Sequence, residues 1–320
     1  MTDPRRVDVH QHFVPEEYAR WLRAEGMPAP AGHDLPAWSP AEALAFMDRH
    51  GIATGILSLT FPGVRIGDDA RARATAREKA RVFNELGAEL VRDHPDRFGL
   101  FATLTLPDVD GAVAEAVHAL DELGADGVVL LANSRGTYLG DPAFDPLMAE
   151  LDRRHAVVFV HPAELPASPV PGLPPFAVDF LLDTTRAGAL LVRNDVPRRF
   201  PGIRFVLAHA GGFIPYAAHR IAVTVFAETG RDPGQILDEL SSFHFDTALS
   251  GSPAALPSLL AFGKPGHVLY GSDSPFAPEL AVGYFDGLLD GHPMDEATRA
   301  GIHRDNALAL LPRLAKRPGL

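Results

Sequence analysis

Eight short, apolar, β-rich runs, separated by longer stretches of helical periodicity, constrain this chain more than any other feature. The runs cover residues 7–9, 55–59, 98–106, 127–131, 157–160, 204–208, 243–245 and 268–270. Between them, residues 69–93 are rich in Ala, Arg and Glu, and residues 110–123 place Val113, Val117 and Leu120 at helical spacing. Residues 144–154, 177–192, 214–227 and 253–262 follow the same pattern. Strands joined through helices run parallel, because a parallel pair needs a crossover long enough to carry the chain back. Eight such units predict an α/β fold of one kind, a closed (β/α)8 TIM barrel, rather than an open doubly wound sheet.

Two connections are too long for a simple crossover. Residues 13–50 carry Pro28, Pro30, Pro36 and Pro40, and residues 162–176 carry six prolines. They read as inserted segments after strands one and five, the first lying over the barrel mouth. Residues 295–311 read as a final helix packed on the outside and ending before Pro312. No linker divides the chain, so residues 1–320 are read as one barrel domain, at a length ordinary for that fold.

Composition narrows the chemistry. The net charge is −12 with no basic run, which argues against nucleic acid, whose phosphates need clustered Lys and Arg. No apolar stretch reaches the length of a membrane span and no signal-peptide core is visible, so the expected setting is cytoplasmic, without a membrane partner. There is no cysteine, which removes disulfides, thiolate metal sites and thiol nucleophiles. Any metal must be held by His, Asp or Glu.

Barrel enzymes build their sites at the C-terminal ends of the strands. Strand one ends in Val7-Asp8-Val9-His10-Gln11-His12. Residues two apart on a strand share a face, about 6–7 Å apart along the backbone, so both imidazoles can reach one ion. Strand five ends in His161, strand six in His209 and strand eight in Asp273. A single strand-end histidine is more often structural, and a single Gly-Ser-Asp is usually a turn. Five metal-competent residues at matching positions of the repeat point instead to a shared site. Most other histidines lie in helices, turns or ahead of strands and are given no role. His244, inside strand seven, fits either reading.

The motifs Asp8-Val9-His10-Gln11-His12-Phe13-Val14-Pro15, Val160-His161-Pro162, Ala208-His209-Ala210-Gly211-Gly212 and Gly271-Ser272-Asp273-Ser274-Pro275-Phe276 together resemble the amidohydrolase superfamily. They look most like its decarboxylases, the group typified by aminocarboxymuconate semialdehyde decarboxylase. The resemblance covers nearly the whole chain. It implies a (β/α)8 barrel with His10, His12, His161 and Asp273 as ligands of one divalent ion, and His209 as the acid/base residue. Relatives of this group are commonly homodimers. Two-metal members use a carboxylated lysine at the end of strand four; here that end reads Leu130-Leu131-Ala132-Asn133, with no lysine near. Related decarboxylases carry an aromatic residue where this chain has Ser274, a change expected to alter the pocket.

Three imidazoles and a carboxylate suit zinc, and manganese, iron or cobalt can occupy such a set. The expected reaction is non-oxidative decarboxylation of a small aromatic (hydroxybenzoate-type) or enoic acid; residues 243–252 and 212–216 look most like enzymes acting on acids such as 6-methylsalicylate. The alternative is metal-dependent hydrolysis, by a lactonase or amidase, because the same ligands can activate water. His209 or Asp273 would deliver the proton. Phe13, Phe61, Phe176 and Phe276 are candidate ring contacts, and Asn133 and Asp246 candidate polar contacts. Arg65, Arg135 and Arg186 are candidates to pair with a second anionic group.

Overall fold

The structure, a computed structural model, describes residues 6–316. Eight parallel strands follow one another in chain order: β1 (Arg6–His12), β2 (Ile52–Ser58), β3 (Phe98–Thr103), β4 (Gly127–Leu131), β5 (Val157–His161), β6 (Arg204–Leu207), β7 (His244–Asp246) and β8 (Val268–Leu269). The segment after β8 closes the barrel on β1. Val9 N–H donates to the Tyr270 carbonyl (3.0 Å), Asp273 N–H to His10 (2.8 Å) and His12 N–H to Ser274 (2.8 Å). The expected (β/α)8 architecture is thus the one observed. β3 is shorter than residues 98–106, because Thr105 begins a turn in which its hydroxyl donates to the Asp108 carbonyl (3.0 Å) and Asp108 caps the next helix.

Helices cover the outside, and their starts follow local chemistry. The Asp69 carboxylate accepts the Ala72 N–H (2.7 Å) at the start of Ala70–Asp93, satisfying one of the donors a helix leaves free. Helices Pro233–Ser241 and Glu279–Gly291 went unread in the sequence. A short hairpin, Asn133–Ser134 with Thr137–Tyr138, follows β4. The first long connection carries helices Glu16–Ala24 and Pro40–Arg49 around a turn at Pro30–Gly32. Among the described residues no helix is long and apolar enough to cross a membrane.

The C-terminal segment departs from expectation. It is not one helix on the outside: Glu296–Ala300, a wide turn at Gly301–Asp305 and Asn306–Leu310 run on, and Pro312 starts a further turn rather than ending the structure. Pro is tolerated at a first helical position because it has no N–H to lose there. Ala307, Leu310, Leu311 and Leu314 pack with Val7, Ile56, Phe101 and Val129, the inward-facing residues of the strands. The segment therefore plugs the interior of the barrel, and Arg313 pairs with the buried Asp126.

β1 contains an irregularity that matters for the site. Val7 and Val9 face the interior core, yet His10 packs its ring against the inward Phe159 (centroids 4.9 Å apart). Strict alternation would send His10 outward. The register between β1 and β2 shifts between Asp8 and Gln11, and this bulge resets the alternation so that Val9 and His10 both point in. Asp8 holds the bulge: its Oδ1 accepts the N–H groups of His10 and Ser272 (3.0 Å each) and its Oδ2 accepts the Ser272 hydroxyl (2.6 Å).

His244, the first residue of β7, stacks on His267 with centroids 4.2 Å apart, and its buried Nδ1 has no partner among the described residues. Burial first, then His267 and Arg204, push it down to about 3. Its folded value lies below the unfolded one near 6.5, so the unfolded state takes up the proton first and stability falls as pH drops below about 6.5. Between pH 7 and pH 5 this residue should cost about 2 kcal/mol of stability. His244→Phe should flatten that acid loss in denaturant unfolding; identical pH slopes in both proteins would count against it.

Candidate metal centre

The ends of β1, β5 and β8 bring His10, His12, His161 and Asp273 together, with one potential ligand atom from each lying within 4.8 Å of all the others. His10 Nε2 and His12 Nε2 are 3.1 Å apart, and Asp273 Oδ1 lies 3.3 Å from each. Four donors around an ion at about 2.0–2.1 Å would sit roughly 3.3 Å apart, so these separations fit.

The outer hydrogen bonds make these atoms acceptors. His12 Nδ1 donates to the Ser58 carbonyl (3.2 Å), and His161 Nδ1 to the Pro162 carbonyl (2.8 Å). Carbonyls accept only, so the protons lie on Nδ1 and both Nε2 atoms present lone pairs. His10 Nδ1 donates to Asp246 Oδ2 (2.8 Å), which orients its Nε2 in the same way. Three imidazole lone pairs and a carboxylate oxygen thus face one another. A cation among them fits; without one, a proton must take its place.

The electrostatics agree. Burial pushes His12 down; burial and the neighbouring imidazoles hold His161 well below its ordinary value. Burial opposes the charged form of His10 too, but Asp246 and Asp273 raise it to about 10, so the proton is kept there. Burial alone would raise Asp273; His10, His12 and His209 outweigh it and hold the carboxyl well below its usual range. A metal takes up such a set by displacing the imidazolium proton.

Backbone geometry at the rim is unusual where chemistry is expected. His209 (φ 54°), Ala210 (φ 57°) and Asp273 (φ 61°) all occupy the left-handed region that non-glycine residues seldom adopt. Gly271 permits the close approach of the strands: a Cβ there would lie 2.9 Å from His10 Cβ and 3.1 Å from Asp246 Cβ. His209 Nε2 lies 3.3 Å from Asp273 Oδ2, the oxygen turned away from His10 and His12, while its buried Nδ1 has no partner among the described residues.

Above the four donors lies a cavity of about 500 Å³ whose wall includes Phe61, Phe176, Phe180, Phe276, His209 and Asp273. Phe276 meets His12 edge-on (centroids 5.6 Å apart). His33, given no role in the sequence, also lines it, against Phe176, and Pro30 and Ala31 of the same insertion join it there. Three expected contacts are placed elsewhere. Phe13 is buried against Trp38 between sheet and helices, because alternation turns it away from His12. Asn133 spends its amide on the Glu164 carbonyl and Asp183 and its oxygen on the Gly136 N–H. Asp246 touches His10 and the N–H groups of His209 and Ala248. Ser274 lies beside β1, and its side chain is not part of the cavity wall. Thr60, near both ring nitrogens of His161 (3.3 and 3.4 Å), and Asp8 were missed; only the acidic residue inside an apolar strand hinted at the second.

Asp246→Asn tests the outer shell. An amide would set an N–H against His10 Nδ1–H, or turn the imidazole over and put its proton among the donors. Metal affinity should fall about 10- to 100-fold, read by competition with a chelating dye. Unchanged affinity would show that Asp246 does not orient His10.

A barrel with a three-histidine, one-aspartate cluster at its C-terminal rim defines a class, and the comparisons agree: the chain belongs to the amidohydrolase family (Amidohydro_2), which matches residues 7–313. The chain is 38% identical to the decarboxylase yanB of Aspergillus niger, over 96% of this chain and 88% of that protein. It is 36% identical to a 6-methylsalicylic acid decarboxylase of Penicillium expansum, over 97% of each. The crystal structure of a 2,6-dihydroxybenzoate decarboxylase complexed with 2,6-dihydroxybenzoate superposes with a TM-score of 0.80 at 26% identity, covering 96% of this chain and 99% of that one. Within the family the chain is a carboxy-lyase, an enzyme of carbon–carbon cleavage rather than a hydrolase.

Proposed function

We propose that His10, His12, His161 and Asp273 hold one divalent ion and that the enzyme removes CO2 from a small aromatic acid bearing a hydroxyl beside its carboxylate. The observation that carries this is the convergence of four acceptor atoms beneath an aromatic-walled cavity of about 500 Å³. Zinc suits three imidazoles and a carboxylate, with manganese the alternative. When bound, the ion supplies Lewis acidity that can hold a carboxylate and an adjacent oxygen. Phe61, Phe176 and Phe276 provide walls for a ring. Asp273 serves as a ligand through Oδ1 and must be ionised to do so, which leaves the proton to His209 beside Oδ2. His209 delivers it to the ring carbon that carries the carboxylate, and CO2 leaves as aromaticity returns. 6-Methylsalicylate heads the list of substrates, after the acid that names the Penicillium relative.

The test is a panel of hydroxybenzoates and lactones with the metal-loaded protein, following CO2 and product mass. A product lacking CO2, with no oxygen taken from water, is expected. Products of water addition alone would overturn the reading in favour of a hydrolase. We also read residues 1–320 as one domain, a reading supported by the single eight-stranded sheet plugged by the C-terminal segment. A cytoplasmic homodimer completes the proposal; the exposed Tyr216, Val223 and Phe226 on helix Ile214–Thr229 favour self-association, which sedimentation would measure.

A further inference from the structure

A second cavity, of about 580 Å³, opens on the same rim beside β2, β3 and β4 and shares only Phe61 with the wall of the metal-side cavity. No step of the proposed reaction uses it. Its volume lies within the range of small-molecule sites. Leu59, Leu104 and Leu130 form its apolar side, and Arg65 projects from the loop that follows β2.

Arg65 sets this cavity apart. Among the described residues its buried Nε and Nη1 have no hydrogen-bond partner, and no carboxylate of those residues pairs with it. The other charges of the wall are accounted for: Arg135 pairs with Asp68, and Glu164 is exposed to water. Arg186, the third arginine singled out in the sequence, lies elsewhere and donates to the Tyr138 hydroxyl (3.3 Å). Buried guanidinium nitrogens without acceptors are costly, and native proteins seldom leave them so. The fork of N–H donors matches a carboxylate in two parallel bonds. The leucines and Phe61 beside it suit a flat apolar body.

From this pairing of an unpartnered guanidinium with an apolar wall, we infer that the cavity is a second binding site, separate from the metal, for an aryl carboxylate. The ligand's carboxylate lies on Arg65 and its ring on the leucines. The inference goes beyond the decarboxylase reading and does not depend on it.

The test uses the full-length, metal-loaded protein, with benzoate as probe and isothermal titration calorimetry as readout. Benzoate should bind the wild type, and Arg65→Met should weaken that binding by about 10-fold or more, since a charge-assisted bidentate pair is lost. Arg65→Lys, which keeps the charge without the fork, should fall between the two. His209→Asn, in the other cavity, should leave this binding event in place. Benzamide, of the same shape but neutral, should bind about 10-fold more weakly than benzoate. Benzoate should raise the melting temperature of the wild type and not that of Arg65→Met.

Benzoate binding that is unaltered in Arg65→Met, or lost in His209→Asn alone, would overturn the assignment. So would a large drop in the melting temperature of Arg65→Met, which would make Arg65 a structural residue. Inorganic phosphate binding as tightly as benzoate would overturn the aryl part.

Discussion

Asp273→Asn is expected to lose metal and activity together. Asp273 supplies the one formal negative charge among the four donors, and its Oδ1 lies 3.3 Å from the Nε2 atoms of both His10 and His12. An amide oxygen can occupy the same place but brings no charge, and its NH2 would face His209, where Oδ2 now accepts. Loss of a polarising ion removes several kcal/mol of transition-state stabilisation, so kcat/KM should fall about 10³-fold or more. His10→Ala should do the same by a different route, removing a donor and leaving Asp246 and Asp273 buried against a void. Elemental analysis of protein kept from chelators, run beside the decarboxylase assay, checks both. Full metal content in either variant would show that the ion, if any, sits elsewhere.

His209→Asn separates chemistry from metal retention. His209 is not one of the four converging donors; it hydrogen-bonds to the cluster through Asp273 Oδ2, and its ring packs beside that of His10 (centroids 4.9 Å apart). Asparagine is chosen over alanine because the backbone there has φ 54°, and Asn tolerates the left-handed region better than other L-residues. The backbone N–H to Asp246 (2.9 Å) is kept, so the loop should hold its shape. Loss of a positioned proton donor should lower kcat by about 10²- to 10⁴-fold while metal stays bound. The alkaline limb of the pH–rate profile should change as well, because a proton donor acts only while it carries its proton, and a purely structural role would not produce that change. Metal loss equal to that of Asp273→Asn would remove His209 from the role of proton donor.

Much of the fold could be read along the chain, because crossover helices and buried parallel strands both leave periodic, apolar signatures. β4 was placed to the residue, and β5 and β6 to within one, since Val- and Leu-rich runs there end at turns. Reading failed where tertiary contact overrides local pattern. The C-terminal segment carries its apolar residues at helical spacing whether it lies on a flank or in the barrel's interior; only the company of Val7, Ile56 and Phe101 shows which. Phe13 and Asn133 follow strand ends, as site residues do, but alternation turned the first away and the hairpin after β4 engaged the second. His33 was passed over because it lies in an insertion whose path has no periodic signature.

Taken alone, the order of residues settled how many strand–helix units there are, which donors end them, and that no thiol competes for a metal. Spacing and composition are local properties, and a repeat at the scale of one βα unit is legible within each unit. Only the folded chain decided which ends meet. Bonds such as Ser272 to Asp8 join residues 264 positions apart, and the bulge in β1 turns His10 inward against the simple alternation of a strand. Convergence on one point is set by closure of the barrel, and closure is a property of all eight strands at once.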